Sequence, residues 1–198
     1  MIENETWLEY SGQSTAELLA CKTTHRADSI LCAFEWGLQA KEQQDGPETI
    51  NSKECVILAL MALDREVNNG GYAQFFANSS VRFTPIIVDC LKTIECSATA
   101  AITEKAIALL KLTQVSAEDA REAMYAEDED RDAALNQCDN EFYQLCEIGE
   151  NLFSFVELHQ NEIQLAKEFI PYVPEPIPAG APIGTMRELM RDLKPPEE

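Results

Sequence analysis

The chain has 198 residues and a hydrophobic content of 45%, which is enough to build a folded domain and excludes a disordered acidic segment. Its 35 acidic and 15 basic residues give a net charge of −20. This charge disfavours direct binding to nucleic acids or anionic membranes, because these polyanions attract basic surfaces, and it favours a basic partner instead.

The N-terminal sequence MIENETWLEY lacks the basic residues and the following apolar run that mark a signal peptide. No apolar run approaches the roughly 20 residues needed to cross a bilayer. The seven cysteines lie largely within apolar helical patterns such as ILCAF, ECVILAL and VDCLK, as is typical of reduced, mostly buried thiols. We therefore expect a cytoplasmic protein without a membrane partner.

Helical patterns fill the first third of the chain. Residues 29–44 carry an apolar stripe at helical spacing, formed by Ile30, Leu31, Phe34 and Leu38. The turn signal Asp45-Gly46-Pro47 ends this helix. Asn51 or Ser52 can cap the next one, whose almost continuous apolar run from Cys55 to Leu63 predicts the core helix.

Three further helix starts follow. Thr84 is the predicted cap of a helix with Pro85 at its first position, Ser97 begins another, and Ser116 opens a third in a capping-box-like arrangement with Asp119. The last helical region starts near Arg131. It carries apolar residues at helical spacing, namely Leu135, Cys138, Phe142, Leu145 and Cys146, and the pattern continues after Gly149 through NLFSFVELHQNEIQLAKEFI.

Strand signals are scarce, since no sustained alternation of apolar and polar residues occurs. The sequence therefore predicts an all-α fold: a single compact multi-helix domain with a Pro-rich C-terminal appendage. We divide the chain into an N-terminal helical extension packed on the core (residues 1–46), a helical domain (residues 47–170) and the appendage (residues 171–198). The appendage contains a short predicted helix from Thr185 to Leu193.

An acidic block extends from Ala117 to Glu150, where twelve acidic residues face only two basic ones, Arg121 and Arg131. One interpretation is a set of solvated helix starts, since acids are favoured at the positive end of the helix dipole. Another is a recognition surface whose carboxylates imitate the phosphates of a duplex and attract the Lys and Arg of a DNA-binding protein. The candidate partner-binding residues are Glu118, Asp119, Glu122, Glu127, Asp128, Glu129, Asp130 and Asp132.

The sequence contains little evidence of a metal or catalytic site. Asp128, Asp130 and Asp132 match the first three ligands of a calcium-binding EF-hand loop, but that loop needs a glycine where this chain has Ala133. Cys21, His25 and Cys32 could share a helix face, yet no second ligand pair completes a zinc site. No nucleophile elbow or phosphate-binding loop occurs either. We expect a protein without a cofactor or an enzymatic activity.

The stretch DREVNNGGYAQFFANSS, residues 64–80, predicts a helix end, a tight turn and a second short helix. Two asparagines and two glycines, Asn68 to Gly71, suit the left-handed backbone that closes a helix. Tyr72, Phe75 and Phe76 then form an apolar face at helical spacing. Asn78 can terminate this helix or cap the next one by bonding backbone groups. We predict a sharp helical corner pinned by aromatic residues.

The run GGYAQFFANS, preceded by EVNN, closely resembles the signature of a small bacterial family described as the DNA-mimic protein C-terminal-like domain. The likeness extends from about Ser52 to near Phe169. It implies an all-α fold, no cofactor and sequestration of a DNA-binding regulator. The signature residues carry no mimic charge, so the resemblance assigns them to the fold; they are Asn68, Gly70, Gly71, Tyr72, Phe75, Phe76 and Asn78.

We therefore expect a non-enzymatic acidic binding protein, a DNA mimic, that occupies the DNA-binding surface of a basic transcription factor or another DNA-binding protein. An immunity or adaptor protein that binds a basic toxin or enzyme is the alternative, because its charge would be the same. A hydrolase with carboxylate catalysis ranks last. Simple solubility is a further interpretation of the charge.

Overall fold

The computed structural model describes residues 7–145 and 148–167. Within these ranges the chain forms eight α-helices and no β-strand, which confirms the all-α prediction. The helices are α1 Thr15–Ala20, α2 Ala27–Asp45, α3 Ser52–Ala77, α4 Ile87–Thr93, α5 Ser97–Leu109, α6 Ala117–Tyr125, α7 Glu129–Phe142 and α8 Ile148–Leu158. None of these helices is both long and apolar enough to cross a membrane. The Pro-rich appendage and its predicted helix lie outside the described residues.

Helix α3 is the central helix and packs against α2, α4, α6, α7 and α8. Asn51 caps its start, because its side chain accepts hydrogen bonds from the N–H groups of Lys53 and Glu54 at 2.9 and 3.1 Å. The predicted apolar run is buried apart from the half-buried Cys55 and Met61, so α3 is the core helix as expected.

Helices α1 and α2 contribute to the same hydrophobic core as α3. The predicted stripe of α2 is buried throughout, since Ile30, Phe34 and Leu38 have no exposed surface and Leu31 has 2%. Leu18 of α1 is also fully buried. Side chains of the N-terminal helices therefore form part of this core.

After α8 the chain crosses back over α1, α2 and α3 in a non-helical segment, residues 162–166, which we call the return segment. Its central contact is a buried ion pair: Glu54 accepts hydrogen bonds from Lys41 Nζ at 2.7 and 2.9 Å and from the Gln164 N–H at 2.7 Å. Further hydrogen bonds join Thr15 to the Ile163 carbonyl, Asn51 to the Glu162 carbonyl, Tyr10 to the Ala166 carbonyl and the Ala166 N–H to the Gly37 carbonyl.

Three predicted boundaries are wrong. Thr84 does not cap α4, which begins at Ile87, because a 3-10 turn, Ser79–Phe83, leads into it and the Ile86 N–H bonds the Phe83 carbonyl at 3.0 Å. Helix α7 ends at Phe142, so Leu145 lies beyond it, and Cys146 is outside the described residues. Helix α8 ends at Leu158, where a turn closed by the Glu162 N–H and the His159 carbonyl starts the return segment.

Candidate functional site

The eight predicted partner-binding residues lie on α6, on the first turn of α7 and in the connection between these helices. Helix α6 buries Ala120 and packs Ala123 and Met124 against the core. Its opposite face, at spacings of three and four residues, is exposed and carries Glu118, Arg121, Glu122 and Tyr125. The Ser116 hydroxyl accepts the Asp119 N–H at 3.0 Å and caps α6, as predicted.

At the start of α7, Asp128 is the N-cap and accepts the Arg131 N–H at 2.9 Å. This hydrogen bond, together with Lys111 at 3.6 Å, holds the pKa of Asp128 below its usual range. Glu129 and Asp130 follow in the first helical turn, where the helix dipole favours negative charge. Part of the acidic block therefore stabilises a helix start.

Arg131 is buried, although it is one of only two basic residues in the acidic block. Its guanidinium group donates to the Ala123 carbonyl of α6 and to Asp132 Oδ1 at 2.6 and 2.8 Å. Arg131 therefore joins the end of α6 to the start of α7, and of the eight predicted carboxylates it pairs with Asp132 alone.

Most of the predicted carboxylates have no ionic partner within the protein. Among the described residues only Asp128 and Asp132 of the eight form ion pairs. The other six are Glu118, Asp119, Glu122, Glu127, Glu129 and Asp130. We call the eight residues together the acidic surface. The uncompensated charge makes this surface suited to contact with several cationic groups of one partner.

The resemblance of residues 128–139 to a calcium loop does not extend to the backbone. Asp128 is the N-cap of α7, and Asp130 and Asp132 lie in its first turn, so these three aspartates do not form a loop that wraps an ion. Cys21 lies in a 3-10 turn and Cys32 in α2, so they do not share a helix face with His25. Within the described ranges, no three His, Cys, Asp or Glu side chains are grouped to hold a metal ion.

The predicted corner interrupts α3 at two glycines. Gly71 has a φ of +75°, in the left-handed region that favours glycine, as predicted. Gly70 has a φ of −158° and a ψ of 24°, which is neither helical nor left-handed, and Asn68 and Asn69 remain helical, so the left-handed prediction is wrong for these three. The two non-helical glycines together redirect the chain.

The second half of α3 is capped from another helix. Asp139 of α7 accepts the Tyr72 N–H at 2.8 Å, and burial raises the pKa of this carboxyl. Tyr72, Phe75 and Phe76 are fully buried, and the Tyr72 hydroxyl bonds Thr103 at 2.7 Å. The aromatic residues thus pin the corner as expected.

Asn78 and Gln74 both donate to Glu66 Oε2 at 2.7 Å, across the bend in α3. Asn68 donates to the Asp64 carbonyl at 2.8 Å one turn earlier. These contacts lie within the corner, and they support a structural role for the polar signature residues.

The described cysteines are buried or half-buried. Burial raises the pKa of Cys90 to about 12 and also raises that of Cys138, so these thiols resist ionisation. Both are free, as are the half-buried Cys21, Cys32 and Cys55. Such thiols behave as small hydrophobes.

Sequence reasoning missed the carboxylates that the fold buries, which are Glu35, Glu54, Glu66 and Asp139. Only Glu54 had a usable signal, because it stands three residues after the cap Asn51 in a capping box. It also missed Tyr125, a large side chain that is 80% exposed beside the acidic residues of α6.

Searches of the curated proteins and of the solved structures each found no match to this chain. A scan of protein-family models found one match, to residues 48–159, which is more than half of the chain. The match contains the corner and the whole acidic surface. It ends before the position near Phe169 that the signature suggested, and its description, DMP19-like protein, differs from the family named above.

Proposed function

This chain belongs to the DMP19-like protein family, and from this premise we propose that it is a non-enzymatic DNA mimic. Its acidic surface would occupy the DNA-binding surface of a basic protein and so exclude DNA. Membership of this DNA-mimic type of family supports the class of function. The partner and the mode of contact are parts of the proposal.

The observation that carries the proposal is the unpaired charge on α6 and α7. Six carboxylates within residues 118–130 lack an ion pair with any described residue, although they lie close together in the chain. A DNA-binding surface is adapted to a high density of negative charge, about one charge per 1.7 Å of duplex axis. A protein that presents many uncompensated carboxylates competes for the same Lys and Arg residues.

The proposal predicts which acids matter. Asp128 caps α7 and Asp132 holds the buried Arg131, so replacing either one would disturb the helices as well as the surface charge. The informative variant therefore combines Glu118→Gln, Glu122→Gln, Glu127→Gln, Glu129→Gln and Asp130→Asn. All five side chains are exposed and form no ion pair with described residues.

A matched control removes the same number of charges elsewhere, at exposed positions of other elements: Glu9→Gln, Glu48→Gln, Asp89→Asn, Glu104→Gln and Glu150→Gln. The immobilised wild type and both variants are used in pull-downs from a lysate of the source cells at low and at high salt. We expect the wild type and the control to retain a DNA-binding protein at low salt, and the surface variant to retain at least about tenfold less.

The purified partner is then mixed with duplex DNA and increasing amounts of the protein. We expect the wild type to displace the DNA and the surface variant to fail. Recovery that does not depend on salt, equal effects of the two charge variants, or a partner that keeps its DNA would each contradict mimicry. A basic toxin or enzyme without DNA affinity would instead identify an immunity or adaptor protein.

A further inference from the structure

A groove of about 280 Å³ lies between α2, α3 and the 3-10 turn Ser79–Phe83. None of the eight residues of the acidic surface lines it. Its apolar part is formed by Leu58, Ala62 and Phe83. The volume is near the lower end of that of small-molecule sites, so the groove suits a small ligand.

The groove contains a buried carboxylate with an unused acceptor. Glu35 is only 4% exposed, yet it lines the groove. Gln39 Nε2, at 3.0 Å, and Arg65 both donate to the same oxygen, Oε1. Oε2 accepts no hydrogen bond from the described residues. Among the described residues only Thr84 Oγ1 and Thr99 Oγ1 are enclosed without a partner, so Oε2 is accessible from the groove and can accept a hydrogen bond from a ligand there.

Two arginines balance the acids of the groove. Arg82 donates to both oxygens of Glu42 at 2.6 and 2.8 Å and stacks on the Phe83 ring at 4.5 Å. Arg65 pairs with Glu35, while its Nε is 3.8 Å from Glu66, too far for a hydrogen bond. Arg65 therefore keeps N–H donors for a second acceptor, and its side chain is 49% exposed.

The lining thus has equal numbers of Glu and Arg side chains in a chain with a net charge of −20. A simple cation in the groove would meet the two guanidinium groups, and a simple anion would be repelled by the field of the protein. A ligand with one charge of each sign matches both the donors of Arg65 and the acceptor of Glu35.

We propose that this groove binds a free α-amino acid with an apolar side chain. The ammonium group donates to Glu35 Oε2, the carboxylate accepts from Arg65, and the side chain packs on Leu58, Ala62 and Phe83. The ligand satisfies the unused carboxylate oxygen and covers the apolar part of the groove in one binding event.

Isothermal titration calorimetry of the full chain with L-leucine, L-methionine and L-phenylalanine tests the proposal. We expect saturable binding of at least one of them with a dissociation constant of about 1 mM or below. For leucine, leucinamide lacks the carboxylate and 4-methylpentanoate lacks the ammonium group. Each analogue of the bound amino acid should bind at least about tenfold more weakly. Failure of all three amino acids to saturate the protein would overturn the proposal.

Two variants assign the contacts. Glu35→Gln and Arg65→Gln should each weaken binding at least about tenfold, whereas Lys105→Gln, which breaks an exposed ion pair outside the groove, should leave it unchanged. Thermal unfolding verifies that each variant is folded. If Glu35→Gln does not fold, the site is tested instead by the changes in amide NMR shifts of the wild type on addition of the amino acid. Shift changes confined to residues 79–83 and the adjoining parts of α2 and α3 would support the site, and the absence of such changes would refute it. A folded Glu35→Gln variant with wild-type affinity would also refute it.

Discussion

The carboxylates inside the fold and those of the acidic surface differ in their partners. Glu54 has no exposed surface and accepts hydrogen bonds from Lys41 and from the backbone of the return segment. Asp139 caps half of a helix. By contrast, six of the eight carboxylates of the acidic surface have no ion pair with described residues. Buried charges need partners to be tolerated, whereas exposed charges are hydrated.

This difference separates two uses of the same side-chain chemistry. Two of the buried acids connect parts of the chain that are far apart in sequence, since Glu54 and Gln164 are 110 residues apart and Tyr72 and Asp139 are 67 apart. The exposed acids lie within one short stretch and leave their charge to solvent or to a partner. Substitutions should therefore affect stability at the first group and binding at the second.

The largest expected effect on stability is that of Lys41→Met. It would leave Glu54 as a buried charge without its counterion, which costs about 3–5 kcal/mol of unfolding free energy. Lys105→Met is the matched control, because its ion pair with Glu141 is half exposed, and we expect a much smaller loss. Urea denaturation of both variants measures the difference. Equal losses of unfolding free energy in the two variants would contradict the distinction between buried and exposed ion pairs.

Gly71→Ala should have the next largest effect. Alanine is strained at a φ of +75°, and its Cβ would stand 2.2 Å from Asp139 Oδ2, so we expect a loss of at least about 2 kcal/mol. Gly149→Ala in α8 is the control, because nothing lies within 4 Å of the added carbon. It should be neutral or stabilise by up to about 1 kcal/mol. If Gly71→Ala has the thermal stability of the wild type, the corner tolerates a side chain at position 71 and the prediction is wrong.

Asp139 gives the smallest effect and one that depends on pH. Asp139→Ala removes the cap from Tyr72 and should cost about 1–2 kcal/mol, while Asp139→Asn keeps an acceptor. The folded pKa of Asp139 is raised by burial, so its ionisation opposes folding. The protonated Asp139 side chain therefore contributes to folding stability below the unfolded pKa, and this contribution is lost as pH rises through the folded pKa.

The gain in stability of Asp139→Asn over the wild type should therefore increase from about pH 3 to pH 7. Chemical denaturation of the two proteins across this range measures the increase. Burial also raises the pKa of Asp64, but its effect on stability is the same in both proteins and cancels in the comparison. A difference that shrinks as pH rises would mean that the ionised carboxylate stabilises the corner.

The sequence was most informative where local chemistry decides the structure. Asn51 and Ser116 cap helices as predicted, because their side chains accept free N–H groups at the helix start. Ser97 begins α5 as predicted, although no side chain caps that helix. Thr84 failed as a cap because the preceding 3-10 turn provides the hydrogen bonds at that point. The end of α8 was missed because the return segment gains its contacts from distant helices.

The candidate site was predictable in part for the same reason. The acidic surface is contiguous in sequence, so counting charges located it. The sequence did not predict that Asp132 pairs with Arg131, since this contact depends on Arg131 being buried against α6. The groove residues come from α2, α3 and a later turn, and no local pattern links Glu35 to Arg82. Tertiary contacts alone bring them together.

The buried guanidinium of Arg131 also bears on the entropy of binding. By joining the end of α6 to Asp132 on α7, it fixes the two helices that carry most of the acidic surface. A partner then meets carboxylates whose backbone is already ordered, so association costs mainly side-chain freedom. Preorganisation of this kind lets a surface built from flexible, hydrated side chains bind a rigid partner without first folding upon it.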